Sequence, residues 1–246
     1  MTVLQSRLGS RRLQRLPVRP RHLGVIIDGN RRWARAAGYT SPTVGHRHGA
    51  EHVRDLLIWA QDAGIEHVTV YIASADNLRK RESDEVTGLH DVIETTLPAA
   101  IVGSPAWQLH LSGDLGLLPE STQSALRTAC QQTLGRPRHV TVAIAYDGRQ
   151  DIVDAVRRSL LRDSGSTAMA NLDVDRVTQS LAGGPAKDID LVIRTSGEHR
   201  LSGFCPWQTT NAEIVVSNKM WPAFARRDFI AALQQYADAT DRRADQ

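Results

Sequence analysis

Cysteine is scarce: Cys130 and Cys205 are the only two in 246 residues, and neither has a Cys or His at zinc-ligand spacing. That pattern supports neither a disulfide framework nor a zinc site, so both are expected to be reduced thiols. No run of residues approaches the roughly 18 apolar positions of a membrane span. The start lacks the apolar stretch of a secretory signal, and the expectation is a soluble, cytoplasmic protein. There is no Walker loop, no G-x-G-x-x-G after a strand and no G-x-S-x-G elbow. ATPase, dinucleotide and triad-hydrolase chemistry are thereby set aside. Acidic residues are missing from the opening segment, where Arg7, Arg11, Arg12, Arg15, Arg19 and Arg21 cluster. Residues 1–20 read as a basic, flexible arm whose plainest role is a solvated terminus. Clustered Arg also suits a weak contact with an anionic membrane surface, while a nucleic-acid partner would rest on this arm alone and is not expected.

What remains has ordinary globular proportions, with 41% hydrophobic and 23% charged residues and a net charge of +3. One domain over 21–246 is expected. Apolar runs at 22–28, 68–73, 107–113, 139–146, 190–197 and 213–218 read as six strands. Helical periodicity separates them near 45–64, 82–100, 119–134, 149–163 and 173–182. A final amphipathic helix carries Phe229, Leu233 and Tyr236 on one stripe. Strands spaced by helices predict an α/β fold, with an open, mostly parallel six-stranded sheet covered on both faces. Ligands of such folds gather at the strands' carboxyl ends.

The chemically loaded residues follow those ends. After the first strand come Asp28, Gly29, Asn30, Arg31, Arg32, Trp33 and Arg35. A carboxylate at a strand tip can hold a hard cation such as Mg²⁺, Gly29 lets backbone approach a ligand, and the amides of a helix start can donate to phosphate. The bare Asp-Gly-Asn triplet is an ordinary surface turn, but an acid and three Arg beside one Trp are less so. His46 and His48 sit in GHRHG, where a structural role suits either one taken alone. Ser74 to Arg81, with Asn77 and Lys80, reads as a polar and basic loop after the second strand. Arg194, Arg200 and Ser202 follow the fifth and could clamp a diphosphate by charge-assisted bonds, with Glu213 eleven residues further on.

HLGVIIDGNRRWAR, YIASADNLRKR and DLVIRTSGEHRLSGFCPWQTTNAE, in this order, resemble the motifs of the cis-prenyltransferase (undecaprenyl diphosphate synthase) family across about residues 20–245. GDLGLLP at 113–119 and AYDGRQDIVDA at 145–155 are further echoes. The resemblance implies a Mg²⁺-dependent enzyme that condenses isopentenyl diphosphate with an allylic diphosphate, with a hydrophobic tunnel between sheet and helices for the product. It implies that Asp28 holds the metal and that Gly29, Asn30, Arg32 and Arg35 cradle the allylic substrate. His46 and Asn77 match polar active-site positions, Asn77 the one linked to proton removal. Arg194, Arg200 and Ser202 match the isopentenyl diphosphate site. Glu213 matches a metal-site carboxylate contributed across a homodimer interface.

The pattern departs from the family where Leu78 replaces an aromatic, where Pro42 occupies the place of an Arg, and at Cys205, Pro206 and Asn211. These changes bear on substrate choice and product shape. The form of the motifs is most similar to short-chain actinobacterial members that make a Z-farnesyl diphosphate, so a C15-type product is expected, with a long-chain polyprenyl product as the alternative. Two rivals remain on this reading. One is a same-fold enzyme drifted to irregular coupling, cyclisation or diphosphate hydrolysis; the other is a non-catalytic partner subunit, against which Asp28 speaks.

Overall fold

In the computed structural model, residues 17–80, 83–162 and 169–244 are described, without side chains at 80, 83, 84 and 244. Most of the Arg-rich arm therefore lies outside the described residues. Six strands, β1 (His22–Ile26), β2 (His67–Ser74), β3 (Trp107–Ser112), β4 (Arg138–Tyr146), β5 (Leu191–Arg194) and β6 (Glu213–Val216), form one sheet in the order β3-β4-β2-β1-β5-β6. Every pairing is parallel, so the expected sheet is found in its purest form. The chain works outward from β1 on one side, then returns to start β5 on the other. The gap between the tips of β1 and β5 is the topological switch point, where such sheets open a crevice.

Alternation along the strands divides the interior. Leu23, Val25, Val68, Val70, Val140, Val142, Leu191 and Ile193 face the larger core. There they meet Val53, Leu56 and Leu57 of α2 (Pro42–Asp62), Ile93, Leu97 and Ile101, Leu126 of α6 (Glu120–Gln132), and Phe229 and Leu233 of α9 (Arg226–Ala244). Each such side chain contributes about 1.5–3 kcal/mol by leaving water. Ile26, Tyr71, Ala143 and Val192 face the opposite way, against Phe204 and Cys205. Beyond them α7 (Gly148–Leu160) and α8 (Val174–Ser180) pack through Ala155, Val177 and Leu181.

Two expectations need correction. Ser74–Arg81 is not simply a loop, because Ala75–Lys80 is a short helix, α3. Ser74 Oγ accepts the Asn77 N–H at 3.0 Å, as a capping hydroxyl does, and Ala75 and Leu78 are buried beneath it. The predicted helix over 82–100 is broken into α4 (Ser83–Asp91), a π-helical turn (Val92–Thr96) and α5 (Leu97–Val102). Pro98 has no N–H to offer the preceding turn, and the Leu97 N–H reaches back five residues to the Val92 carbonyl. Pro42, one of the departures, sits at the first turn of α2 behind the capping Ser41, a place where proline costs little.

Candidate active site

The tips of β1, β2, β4 and β5 surround a cleft of about 960 Å³. Asp28 stands two residues beyond β1, held from both sides: its N–H donates to Thr195 Oγ1 at 2.9 Å, and the same hydroxyl donates to the Asp28 carbonyl at 2.8 Å. Thr195 is fully buried, so this clasp fixes the height of Asp28 relative to β5. One carboxylate oxygen accepts the Gly29 N–H at 2.7 Å, and the other accepts Arg194 Nη2 at 3.0 Å. Asp28 keeps about a third of its side chain exposed, whereas Arg194 is buried.

A buried guanidinium needs its donors met. Arg194 meets those of Nη1 and Nη2 with Asp28, Ser202 Oγ at 2.9 Å and the Arg200 carbonyl, while its buried Nε has no partner among the described residues. It thereby ties the first-strand acid to the loop between β5 and β6. That loop is unusual in its backbone, because Ser196, Ser202 and Cys205 all take positive φ without being glycine. Arg32 Nη2 donates to Ser196 Oγ at 2.6 Å, and Arg200 pairs with Glu198 at 2.6 Å.

Gly29 caps α1 (Asn30–Ala36) at φ 100°, a left-handed conformation, and a Cβ there would come within 3.0 Å of Met220 and Ser196. The next residue, Asn30, is seated against α2. A Cβ on Gly45 would lie 2.1 Å from the Asn30 carbonyl oxygen, and one on Gly49 would lie 2.5 Å from its Oδ1. The GHRHG segment therefore matters first as a notch that lets α1 approach. His46, from the same turn, is buried with Nε2 3.5 Å from Glu85, which also holds Arg31 at 3.4 Å.

Asp28, Gly29, Asn30, Arg31, Arg32, Arg35, His46, Ser74, Asn77, Arg194, Arg200 and Ser202 all line this one cleft. Two of the expected residues do not. Trp33 turns away, its ring stacked on Tyr39 at 6.1 Å and edge-on to His48 at 5.0 Å. Lys80 has no described side chain. Glu213 begins β6 in register with Leu191, hence with Leu23, and pairs with Arg243 at 2.7 Å. It stands five residues short of Asp28 along the sheet, ~16 Å at the rise of a strand, and one chain alone does not bring the two together.

Tyr71, Tyr146, Asp147, Arg149 and Glu198 also line the cleft and were not singled out as site residues by sequence. Tyr146, Asp147 and Arg149 lie at the end of β4, so the strand-end rule that found Asp28 applied to them equally. The lining counts six Arg against four carboxylates, Asp28, Asp76, Asp147 and Glu198. This excess of positive charge favours anionic ligands.

A family model for undecaprenyl diphosphate synthases matches residues 26–244. The chain belongs to this prenyltransferase family. Within it, the chain is 44% identical over 224 residues to a (2Z,6E)-farnesyl diphosphate synthase of Mycolicibacterium smegmatis, covering 88% of this chain and 85% of that one. It is 43% identical over 227 residues to an isoprenyl transferase of Streptomyces fradiae, covering 89% and 88%. Among solved structures it resembles lavandulyl diphosphate synthase from Lavandula x intermedia in complex with dimethylallyl diphosphate. That match has a TM-score of 0.79 and 30% identity, over 89% of this chain and 95% of that one. The fold and the enzyme class expected from the sequence are thus established. Among the described residues, no helix is long and apolar enough to cross a membrane.

Proposed function

We propose that this prenyltransferase condenses isopentenyl diphosphate with an allylic diphosphate at the cleft between β1 and β5, releasing a short, C15-type Z-prenyl diphosphate. The observation that carries the assignment is the Asp28–Arg194 pair at the switch point, with Arg32, Arg35, Arg149 and Arg200 around the same opening. The relatives named farnesyl diphosphate synthases favour the short product.

Gly29, Asn30, Arg32 and Arg35 are assigned to the allylic diphosphate, and Arg194, Arg200 and Ser202 to isopentenyl diphosphate. Asp28 is the residue assigned to Mg²⁺. Among the described residues no group of three or more His, Cys, Asp or Glu could hold a metal. A partly exposed carboxylate nevertheless suits Mg²⁺, which commonly takes one or two carboxylates and completes its shell with phosphate oxygens and water. When bound, the ion would neutralise charge on the departing diphosphate.

The reaction breaks the C1–O bond of the allylic substrate and forms a C–C bond from its C1 to the terminal carbon of isopentenyl diphosphate. A proton leaves C2 of the latter as the new cis double bond closes. The Arg side chains hold negative charge in place and lower the cost of its transfer to the leaving group. Asn77, held at the start of α3 by Ser74, is assigned to the path of that proton. Glu213 is assigned to the metal site of a partner copy in a homodimer. The apolar tail would extend past Ile27, Ile72 and Ala73, which also line the cleft.

Steady-state turnover of Asp28→Ala tests the assignment. A loss of at least about a hundredfold is expected for removing a principal electrostatic group. Turnover near that of the parent would remove Asp28 from the chemistry and the assignment with it.

A further inference from the structure

Tyr71 projects from β2 onto the sheet face away from the larger core. It packs on Phe204 at 5.3 Å between ring centroids and edge-on against Tyr146 at 6.0 Å. Its hydroxyl donates to the Ser202 carbonyl at 3.2 Å, across 131 residues of sequence. Three residues further along the chain, the Ser74 hydroxyl accepts the Asn77 N–H at 3.0 Å. The phenol therefore ties β2, whose end leads into α3 and Asn77, to the loop carrying Arg200 and Ser202.

That loop needs such a tie. Ser202 has φ 50°, a conformation that L side chains adopt only when surrounding contacts over-determine it. In this conformation its Oγ accepts Arg194 Nη1 at 2.9 Å, while its carbonyl turns toward β2. Tyr146 keeps Tyr71 in place from behind, because its own hydroxyl is tied to the buried Asp151 at 3.0 Å.

We infer that Tyr71 is a positioning residue for the isopentenyl diphosphate subsite, holding Ser202, and through it the Arg200 segment, in the conformation that receives the second diphosphate. The inference rests on the assignment of Arg200 and Ser202 to isopentenyl diphosphate. Burial pushes the Tyr71 phenol up to about 12, so it remains a donor across ordinary assay pH.

The test compares Tyr71→Phe and Ser202→Ala with the parent, measuring KM for isopentenyl diphosphate and for geranyl diphosphate separately, together with the melting temperature. Tyr71→Phe keeps the ring contacts and removes only the hydroxyl. It is expected to raise KM for isopentenyl diphosphate about five- to tenfold, the size of one lost hydrogen bond. KM for geranyl diphosphate should stay near the parent value, and the ratio of variant to parent should be flat from about pH 7 to 9, below the phenol's titration. A Tyr71→Phe enzyme with a lower melting temperature and both KM values unchanged would overturn the inference, because it would show a structural role only. If Ser202→Ala raises KM for isopentenyl diphosphate and Tyr71→Phe does not, the subsite stands and the role of Tyr71 falls. If both variants act only on geranyl diphosphate, the subsite assignment itself is wrong.

Discussion

Arg194 is the residue on which the two halves of the site meet, since it touches Asp28 on one side and Ser202 and Arg200 on the other. Its burial makes it a fixed part of the wall, whereas Arg200, 69% exposed in its side chain, is a cation at the mouth paired with Glu198. Arg200→Ala is therefore expected to fold normally and to raise KM for isopentenyl diphosphate about tenfold or more, as losing a charge-assisted hydrogen bond does. Steady-state kinetics with each substrate varied in turn would check this, and a change confined to the allylic substrate would show the two subsites exchanged. Asp28 and the Arg residues were legible because acids and cations after an apolar run have few structural uses. Trp33 was misleading for the opposite reason: helical geometry sets which neighbours of Asp28 reach the cleft, and it turns Trp33 toward Tyr39 and His48. Tyr71 was invisible as a site residue, since an aromatic within a strand reads as core until its hydroxyl's partner is known.

Elements were legible wherever the periodicity was long. All six strands fall where the apolar runs lie, and α2 exceeds its expected start only by the turn that Ser41 and Pro42 add. The misses occur where a local hydrogen bond decides the matter, as with the Ser74 cap of α3 and the π-helical turn before Pro98. The contact of α1 with α2 depends on the absence of side chains at Gly45 and Gly49. Gly49→Ala would bring its Cβ within 2.5 Å of Asn30 Oδ1. Overpacking of this kind typically costs about 1–3 kcal/mol, so denaturant unfolding should show a lowered midpoint, and turnover should fall because Asn30 adjoins the Asp28–Gly29 turn. A second element-scale feature is a row of four histidines on one sheet face: His22 on β1, His67 on β2, His139 on β4 and His110 on β3. Their neighbouring rings lie 4.9–5.6 Å apart, and His110 Nε2 is 2.9 Å from His139 Nδ1. Burial and mutual repulsion lower His22 to about 3 and His67 and His110 to about 4, and burial lowers His139 as well. Arg21, Lys187 and Glu66 are the charged groups acting on this row. A histidine whose folded pKa is depressed stays neutral in the fold while the unfolded chain takes up its proton below about pH 6.5, so stability falls as pH drops from there toward 4. Thermal melts across that range should show the decline, and His139→Asn should make it shallower. An unchanged slope would mean that the row does not set the acid limit.

At the scale of the whole molecule, the all-parallel sheet supplies the switch point and the two-sided helical cover, both of which followed from strand and helix spacing. Assembly did not follow, because Glu213 lies five residues down the sheet from Asp28 in its own chain and pairs there with Arg243. If Glu213 serves a partner's site, Asp28→Ala and Glu213→Ala chains, each inactive alone, should complement one another when mixed, since each heterodimer carries one site with both carboxylates. Recovery of about a quarter of parent activity is expected for random pairing in a two-fold dimer. No recovery on demonstrated subunit exchange would place Glu213 outside the active site. Substrate choice is the property least legible in the chain, because Leu78 is buried in the larger core, while Cys205 is buried beside Pro206 in the cleft wall. Product analysis reads it directly. The purified protein is incubated with Mg²⁺, labelled isopentenyl diphosphate and geranyl diphosphate, and the products are identified by mass spectrometry after removal of the diphosphate. A single linear C15 alcohol with a new cis double bond is the predicted result; an irregular branched product, or consumption of geranyl diphosphate without incorporation of label, would contradict it.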